Sequence, residues 1–230
     1  PPDGGETLRK EPAFTAFPSL LDGRPALART SPPVRARDTG SLVPGQSHRP
    51  RWFLDGWNIA DERPLVYITF GTEAGTSAKT QAAYRTALQA VRDLPVRALL
   101  TTGPNMQPAD LGPVPDNVAV ERFVPQADVL SWCRAVLCHG GSGTLLGAAA
   151  LGVPMVITPL FADQFANARN IEAAGAGIAV LDGDPASLSG ALRRLLGDPA
   201  FQIAAAAVQD EMARMHSIDD AVDLMLHATA

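Results

Sequence analysis

From Pro64 onward the chain alternates short apolar runs with segments of helical period, and few folds accept that order. Leu65-Val66-Tyr67-Ile68-Thr69-Phe70 shows no polar alternation and ends at Gly71. It reads as a strand buried on both faces, the kind found in parallel sheets. Ser77–Asp93 predicts a helix, with Ser77 or Thr76 as N-cap and Tyr84, Leu88 and Val91 on one stripe. Further strands are predicted at Val96–Thr101, Asn117–Phe123, Ala135–His139, Pro154–Thr158 and Ile178–Leu181. Helices are predicted at Ala127–Arg134, Ser142–Leu151, Ala162–Ala174, Pro185–Leu196, Pro199–Arg214 and Ser217 to about Ala228. Strands separated by helices pair in parallel through right-handed crossovers, so the expected class is α/β with a doubly wound parallel sheet. Ligands of such sheets bind outside the carboxyl ends of the strands. The turns after Phe70, Thr101, Phe123, Cys138 and Thr158 are therefore where binding residues are expected.

Residues 1–62 have a different texture. They hold nine of the 20 prolines, each lacking an amide donor and resisting helix and central strand alike. No 3.6-residue period survives there, although short strands are conceivable around Phe14–Phe17 and Pro33–Arg37. The expected organisation is a Pro-rich linker with the tail of a preceding domain over 1–62, and one α/β domain over 63–230. The chain opens on Pro1 without an initiator Met and is expected to be a piece of something longer. A hydrophobic share of 46% suits an ordinary core, and no apolar run approaches the roughly 18 residues of a membrane span. The net charge of −5 offers no basic face to a nucleic-acid polymer. Cys133, Cys138 and the adjacent His139 are too few for a tetrahedral zinc site, so no metal is expected. Sparse cysteine fits a reducing, cytoplasmic setting.

One turn carries the strongest chemical signal. Cys138-His139-Gly140-Gly141-Ser142-Gly143-Thr144 follows a buried strand and opens a helix. Glycine lets a ligand approach the backbone, the first helical amides lack intrahelical partners, and the macrodipole adds partial positive charge. A phosphate is the natural occupant. His139 can donate to an oxyanion, and Ser142 and Thr144 add hydroxyls. The run is not a dinucleotide fingerprint, because Leu146 stands where the third glycine belongs, and no Gly-Lys-Ser/Thr of a P-loop follows.

With that turn, four other pieces lie in order: Thr69-Phe70-Gly71-Thr72, Phe123-Val124-Pro125-Gln126, Gly152-Val153-Pro154 and Pro159-Leu160-Phe161-Ala162-Asp163-Gln164. Together they resemble the nucleotide-sugar signature of the UDP-glycosyltransferase superfamily, closest to the bacterial enzymes that glycosylate antibiotics and macrolides. The resemblance spans roughly residues 64–228. It implies a Rossmann-like domain, the C-terminal, donor-binding half of a GT-B glycosyltransferase. It also implies roles residue by residue. Gly71 and Thr72 would meet the diphosphate. Phe123, where Trp is commoner, would stack on the pyrimidine, and the Val124 backbone would read the base edge. Gln126 would reach the ribose. His139, Gly141, Ser142, Gly143 and Thr144 would hold the diphosphate, and Asp163 and Gln164 the sugar hydroxyls. By default, Phe123 would be a core aromatic and Asp163 a helix N-cap.

Two departures from the family pattern follow. Gly147 stands where many members carry a ribose-binding Glu, which favours a deoxythymidine diphosphate (dTDP) sugar over a UDP-sugar. The family's catalytic base is a His of the N-terminal, acceptor-binding domain, and no His here matches it. His48, His216 and His227 carry no supporting motif. The expectation is therefore a chain without a catalytic residue of its own, binding donor without metal or cofactor. It would transfer almost nothing alone and would meet a small natural-product acceptor through the other domain. The alternative is a nucleotide-sugar binding subunit of a two-chain enzyme. The apolar face of the last helix (Ile218, Val222, Met225, Leu226), with Trp52 and Trp57, could drive self-association.

Overall fold

The computed structural model describes residues 18–22, 61–71 and 77–215, together with Asp220, Asp223 and Leu226. The strands are β1 (Leu65–Thr69), β2 (Arg97–Thr101), β3 (Val118–Glu121), β4 (Ala135–Cys138), β5 (Met155–Ile157) and β6 (Gly177–Ala179). They form one sheet in the order β3-β2-β1-β4-β5-β6, every pair parallel. The order reverses direction between β1 and β4, leaving a crevice at their carboxyl ends. The helices are α1 (Ser19–Asp22), α2 (Ala78–Val91), α3 (Gln126–Leu130), α4 (Ser142–Ala150), α5 (Gln164–Ala173), α6 (Pro185–Gly197) and α7 (Pro199–Ala213). Among the described residues a 3₁₀ turn, Pro108–Leu111, was not foreseen by periodicity, being too short to show any.

Both sheet faces are covered, which is why β1 shows no polar alternation. Val66, Ile68 and Phe70 pack with Tyr84 and Val91 of α2 and with Leu188 and Leu192 of α6. Leu65 and Tyr67 belong to the opposite core, with Val129 of α3, Leu145 of α4, Ile171 of α5 and Val208 of α7. Tyr84 ties α2 to the sheet's carboxyl edge: its hydroxyl donates to the Thr101 carbonyl at 2.9 Å, and its ring meets Phe70 edge-on at 4.9 Å.

Helix starts follow local chemistry closely. Ser77 caps α2 by accepting from the Thr80 amide. Asp184-Pro185 and Asp198-Pro199 open α6 and α7 in the same way, each carboxylate accepting first-turn amides with Pro at the first helical position. Strand and helix ends differ more from expectation. The strand expected at Asn117–Phe123 stops at Glu121, and the helix expected to reach Arg134 stops at Leu130, since residues 131–134 must turn back into β4. The strand expected at Ile178–Leu181 is Gly177–Ala179. It starts at a glycine because a Cβ there would stand 2.2 Å from the Met155 carbonyl oxygen of β5.

The Pro-rich region contributes one described piece. Residues 18–22 include the turn of helix α1, docked between α5 and α7. The Leu20 amide donates to the Glu211 carboxylate at 3.0 Å, the Asn170 side chain donates to the Leu21 carbonyl at 2.9 Å, and Leu21 is buried. Leu20 and Leu21 are consecutive, so one faces solvent while the other is buried, and no periodic signal marks the element. The short strands expected around Phe14–Phe17 and Pro33–Arg37, and the self-association residues Trp52, Trp57, Ile218, Val222 and Met225, lie outside the described residues. Leu226 is helical and exposed. Among the described residues, no helix is long and apolar enough to cross a membrane.

Candidate functional site

A cleft of about 690 Å³ opens at the carboxyl ends of β1, β2 and β4, where the strand order reverses. Its walls include Gly71, Phe123, Val124, Gln126, His139, Gly141, Ser142, Gly143, Thr144 and Gln164. Ten residues predicted from four separate stretches of sequence thus converge on one space. Thr72 lies outside the described residues. A second hollow of about 430 Å³, beside Arg92 and Asn117, sits at the amino ends of the strands, away from the crevice.

The turn between β4 and α4 is built by omission. Its N-cap is Gly141, whose lack of a side chain leaves the amides of the first helical turn to a ligand. Gly140 has a φ of +83°, and a Cβ there would stand 2.8 Å from Ile157 Cγ2. Only glycine satisfies both limits. Gly141 has an ordinary φ of −62°, so its requirement is purely steric: a Cβ would lie 2.5 Å from Nε2 of His139. A Cβ on Gly71 would lie 3.1 Å from the same atom. The imidazole therefore passes between two glycines with its Nε2 edge at the cleft.

His139 is buried, and no acceptor meets its Nδ1 in good geometry. Burial pushes its pKa below the usual histidine value, while the Asp163 carboxylate and the Thr69 backbone pull weakly the other way. Burial thus favours the uncharged form of the ring. It then offers a phosphate a hydrogen bond, and the oriented amides and helix dipole supply the electropositive field.

On the cleft floor, Gln126 Nε2 donates to Thr144 Oγ1 at 3.0 Å, which pins the side chain against α4. Tyr67 and Thr101 share a buried hydroxyl–hydroxyl bond of 2.8 Å beneath. Phe123 is 71% exposed, so the structure overturns its default role as a core aromatic: it stands past the end of β3 as a free ring at the rim. Val124 is its complement, with a buried side chain that leaves only backbone for a ligand.

The loop from β5 to α5 differs. Asp163 occupies the N-cap position of α5, but its backbone is helical and its side chain makes no capping bond. The default N-cap reading fails because the carboxylate is engaged elsewhere: Oδ2 accepts from Ser142 Oγ at 3.1 Å and from Asn167 Nδ2 at 3.2 Å. Asp163 is exposed and is not itself part of the cleft wall; it reaches the cleft through its bond to Ser142, which lines it. Gln164 is only 3% exposed, and its Oε1 accepts from the amides of Leu160 and Phe161 at 2.8 and 3.0 Å. That oxygen is committed to its own loop, so any ligand contact falls to Nε2. The Lys79 ammonium donates to the Leu160 carbonyl. Ala162, held between these ties, has a φ of +56°, a region that residues with a Cβ seldom enter.

Several contributors escaped sequence reasoning. Arg122 is the only charged side chain among the described residues lining the cleft, and Phe161 is a second exposed aromatic there. Asn167 and Lys79 act on the loop from one helical turn away and from another helix. Only the position of Arg122 beside the Phe123 motif could have pointed to it. Cys138 is packed in the core, where burial pushes its thiol up to about 12. Among the described residues, no group of three or more His, Cys, Asp or Glu is placed to hold a metal ion.

A strand–Gly-rich turn–helix unit at the switch point of a 3-2-1-4-5-6 sheet defines a Rossmann-like nucleotide-type site. Residues 85–224 match the family model described as erythromycin biosynthesis protein CIII-like, C-terminal domain, and the chain belongs to that family. It is 38% identical over 222 residues to an elloramycin glycosyltransferase of Streptomyces olivaceus, covering 89% of this chain and 56% of the relative. It is 32% identical over 199 residues to a 4'-demethylrebeccamycin synthase of Lentzea aerocolonigenes, covering 84% and 45%. Among solved structures it resembles a spinosyn rhamnosyltransferase complexed with thymidine diphosphate, at TM-score 0.74 and 27% identity over 94% of this chain and 56% of that one. The chain thus spans about half the length of its relatives. The fold is the Rossmann-like, parallel-sheet domain of GT-B antibiotic glycosyltransferases.

Proposed function

We propose that this chain binds the nucleoside-diphosphate-sugar donor of an inverting glycosyltransferase acting on a small natural-product acceptor. The observation that carries it is the β4–α4 turn: unpartnered helix amides, a buried imidazole threaded between two glycines and two hydroxyls, all facing one cleft. In the reaction, an acceptor hydroxyl oxygen bonds to the anomeric carbon from one face. The bond from that carbon to the diphosphate oxygen breaks on the other. The acceptor's proton goes to a base, and charge grows on the leaving diphosphate. This chain's part is to hold the donor and stabilise that charge with donors already in place. His139 is the only histidine among the described residues, and it serves the diphosphate. The base belongs to the acceptor-binding part of the longer relatives.

The preferred nucleotide is dTDP. Gly147 presents no side chain, and a Cβ there would meet Leu130 Cδ1 at 3.3 Å and Gln126 Oε1 at 3.6 Å. Gln126, held by Thr144, then offers one acceptor oxygen, which suits the single 3′-hydroxyl of a deoxyribose. The thymidine diphosphate complex of the spinosyn rhamnosyltransferase agrees with that choice.

Calorimetric titration tests the proposal. Both dTDP and UDP should bind, dTDP more tightly, and His139→Ala should weaken both by about tenfold or more, as loss of a hydrogen bond to a charged group does. Absence of binding would overturn the donor-site reading, and clearly tighter UDP would overturn the thymidine preference. Transfer to a test acceptor by the 230-residue chain should be negligible, and robust turnover would refute the division of labour.

A further inference from the structure

Asn167 is 5% exposed and lies one helical turn beyond Asp163 on α5, so both point to the same side. A side-chain amide nitrogen has two hydrogens to donate, and here both are used. One goes to the Gly140 carbonyl at 2.8 Å, the other to Asp163 Oδ2 at 3.2 Å. The first bond orients the diphosphate turn. In a planar trans peptide the carbonyl and the following N–H point in opposite directions. Drawing the Gly140 carbonyl toward α5 therefore turns the Gly141 N–H the other way, toward the cleft. The second bond orients the Asp163 carboxylate. With Oδ2 shared between Asn167 and Ser142 Oγ, Oδ1 is left for a ligand hydroxyl.

We infer that Asn167 is a positioning residue that holds the diphosphate turn and the Asp163 carboxylate in register, and so determines how well the sugar of the donor is recognised. The inference rests on the donor-site reading above. Asn167 touches no ligand itself. It sets the separation between an amide that meets the diphosphate and a carboxylate that meets the sugar, which is the separation a donor must match.

The measurement is the ratio of dissociation constants for dTDP and dTDP-glucose, titrated into the full chain. The ratio isolates the sugar's share, and general loosening of the fold moves both constants together. Asn167→Leu keeps the branched shape, with a somewhat larger side chain, and removes both bonds. It should shift the ratio against the sugar by about tenfold while dTDP affinity falls less. In an Asp163→Ala background the same substitution should leave the ratio unchanged, since the carboxylate it acts through is gone. If Asn167→Leu does not fold, Asn167→Ser, which keeps one donor, serves the same comparison with a smaller shift. A ratio moved by Asp163→Ala but untouched by the Asn167 variant overturns the positioning role alone. A ratio untouched by Asp163→Ala overturns the sugar role of the carboxylate as well. Failure of the unaltered chain to bind dTDP overturns the donor-site reading beneath both.

Discussion

Two turns meet at the same cleft and are made in opposite ways. The one after β4 is shaped by what is missing: Gly140 and Gly141 leave room for a backbone conformation, for the His139 ring and for a ligand. The one after β5 is shaped by what is added. Gln164, Lys79 and Asn167 tie down its carbonyl, amide and carboxylate groups and hold Ala162 in a left-handed conformation. A turn built from bare backbone suits an anion that any nucleotide presents. A turn built from clamped side chains suits a ligand part that varies, because its contacts can be changed one at a time. The first should therefore fail in nucleotide binding when altered, and the second in stability and sugar recognition.

The largest effect is expected from Gly141→Ala. The new Cβ would lie 2.5 Å from His139 Nε2, so the ring must leave its seat. Affinity for dTDP should fall by about a hundredfold, and the fold should lose about 1–3 kcal/mol to overpacking. Calorimetry and thermal melting check both, and unchanged dTDP affinity would erase the contrast between the turns. Next comes Gln164→Ala, which strips the acceptor from two amides, one of them buried. Stability should drop by about 2 kcal/mol while dTDP affinity stays within about threefold. A large loss of dTDP binding would mean that the second turn also serves the nucleotide.

A smaller gain is expected from Ala162→Gly. Relief of the left-handed strain, offset by a freer unfolded chain, should stabilise the fold by about 0.5–1 kcal/mol. A loss on melting would show that the alanine methyl has packing value that outweighs the strain. The subtlest test is pH. Burial depresses the His139 pKa, so the unfolded chain takes up a proton that the folded one refuses. Stability of the free protein should fall as pH drops through the unfolded histidine value, about 6.5, and level off below the depressed folded value. His139→Gln should flatten that part of the curve, and an unaltered slope would assign the dependence to other groups.

The legibility of the molecule divides along the same line. The β1 run and the His139–Thr144 turn could be read residue by residue, because their meaning lies in backbone freedom, hydrophobic run length and unpartnered amides. Each is a local property. The helix starts at Ser77, Asp184 and Asp198 were legible for the same reason. Asn167 could not be read. Its two partners are a carbonyl 27 residues earlier and a carboxylate four residues earlier, and only the docking of α5 against the β4–α4 turn brings them together. Lys79 reaches a carbonyl 81 residues away. Gln164 was visible as a polar residue, but its buried oxygen serves its own loop, which depends on how that loop folds back.

The amino-acid sequence alone thus determined the fold class and the strand–Gly-rich turn–helix unit, because apolar period and glycine placement act over a few neighbours, while the resemblance of its ordered motifs pointed to the residues of the other turns. Strand order, the exposure of Phe123, the diversion of Asp163 from N-cap to latch and the buried amide of Asn167 were decided only in three dimensions. Each is a contact between segments far apart in the chain or on different elements. Its energy depends on distance and burial, which no local pattern of residues records.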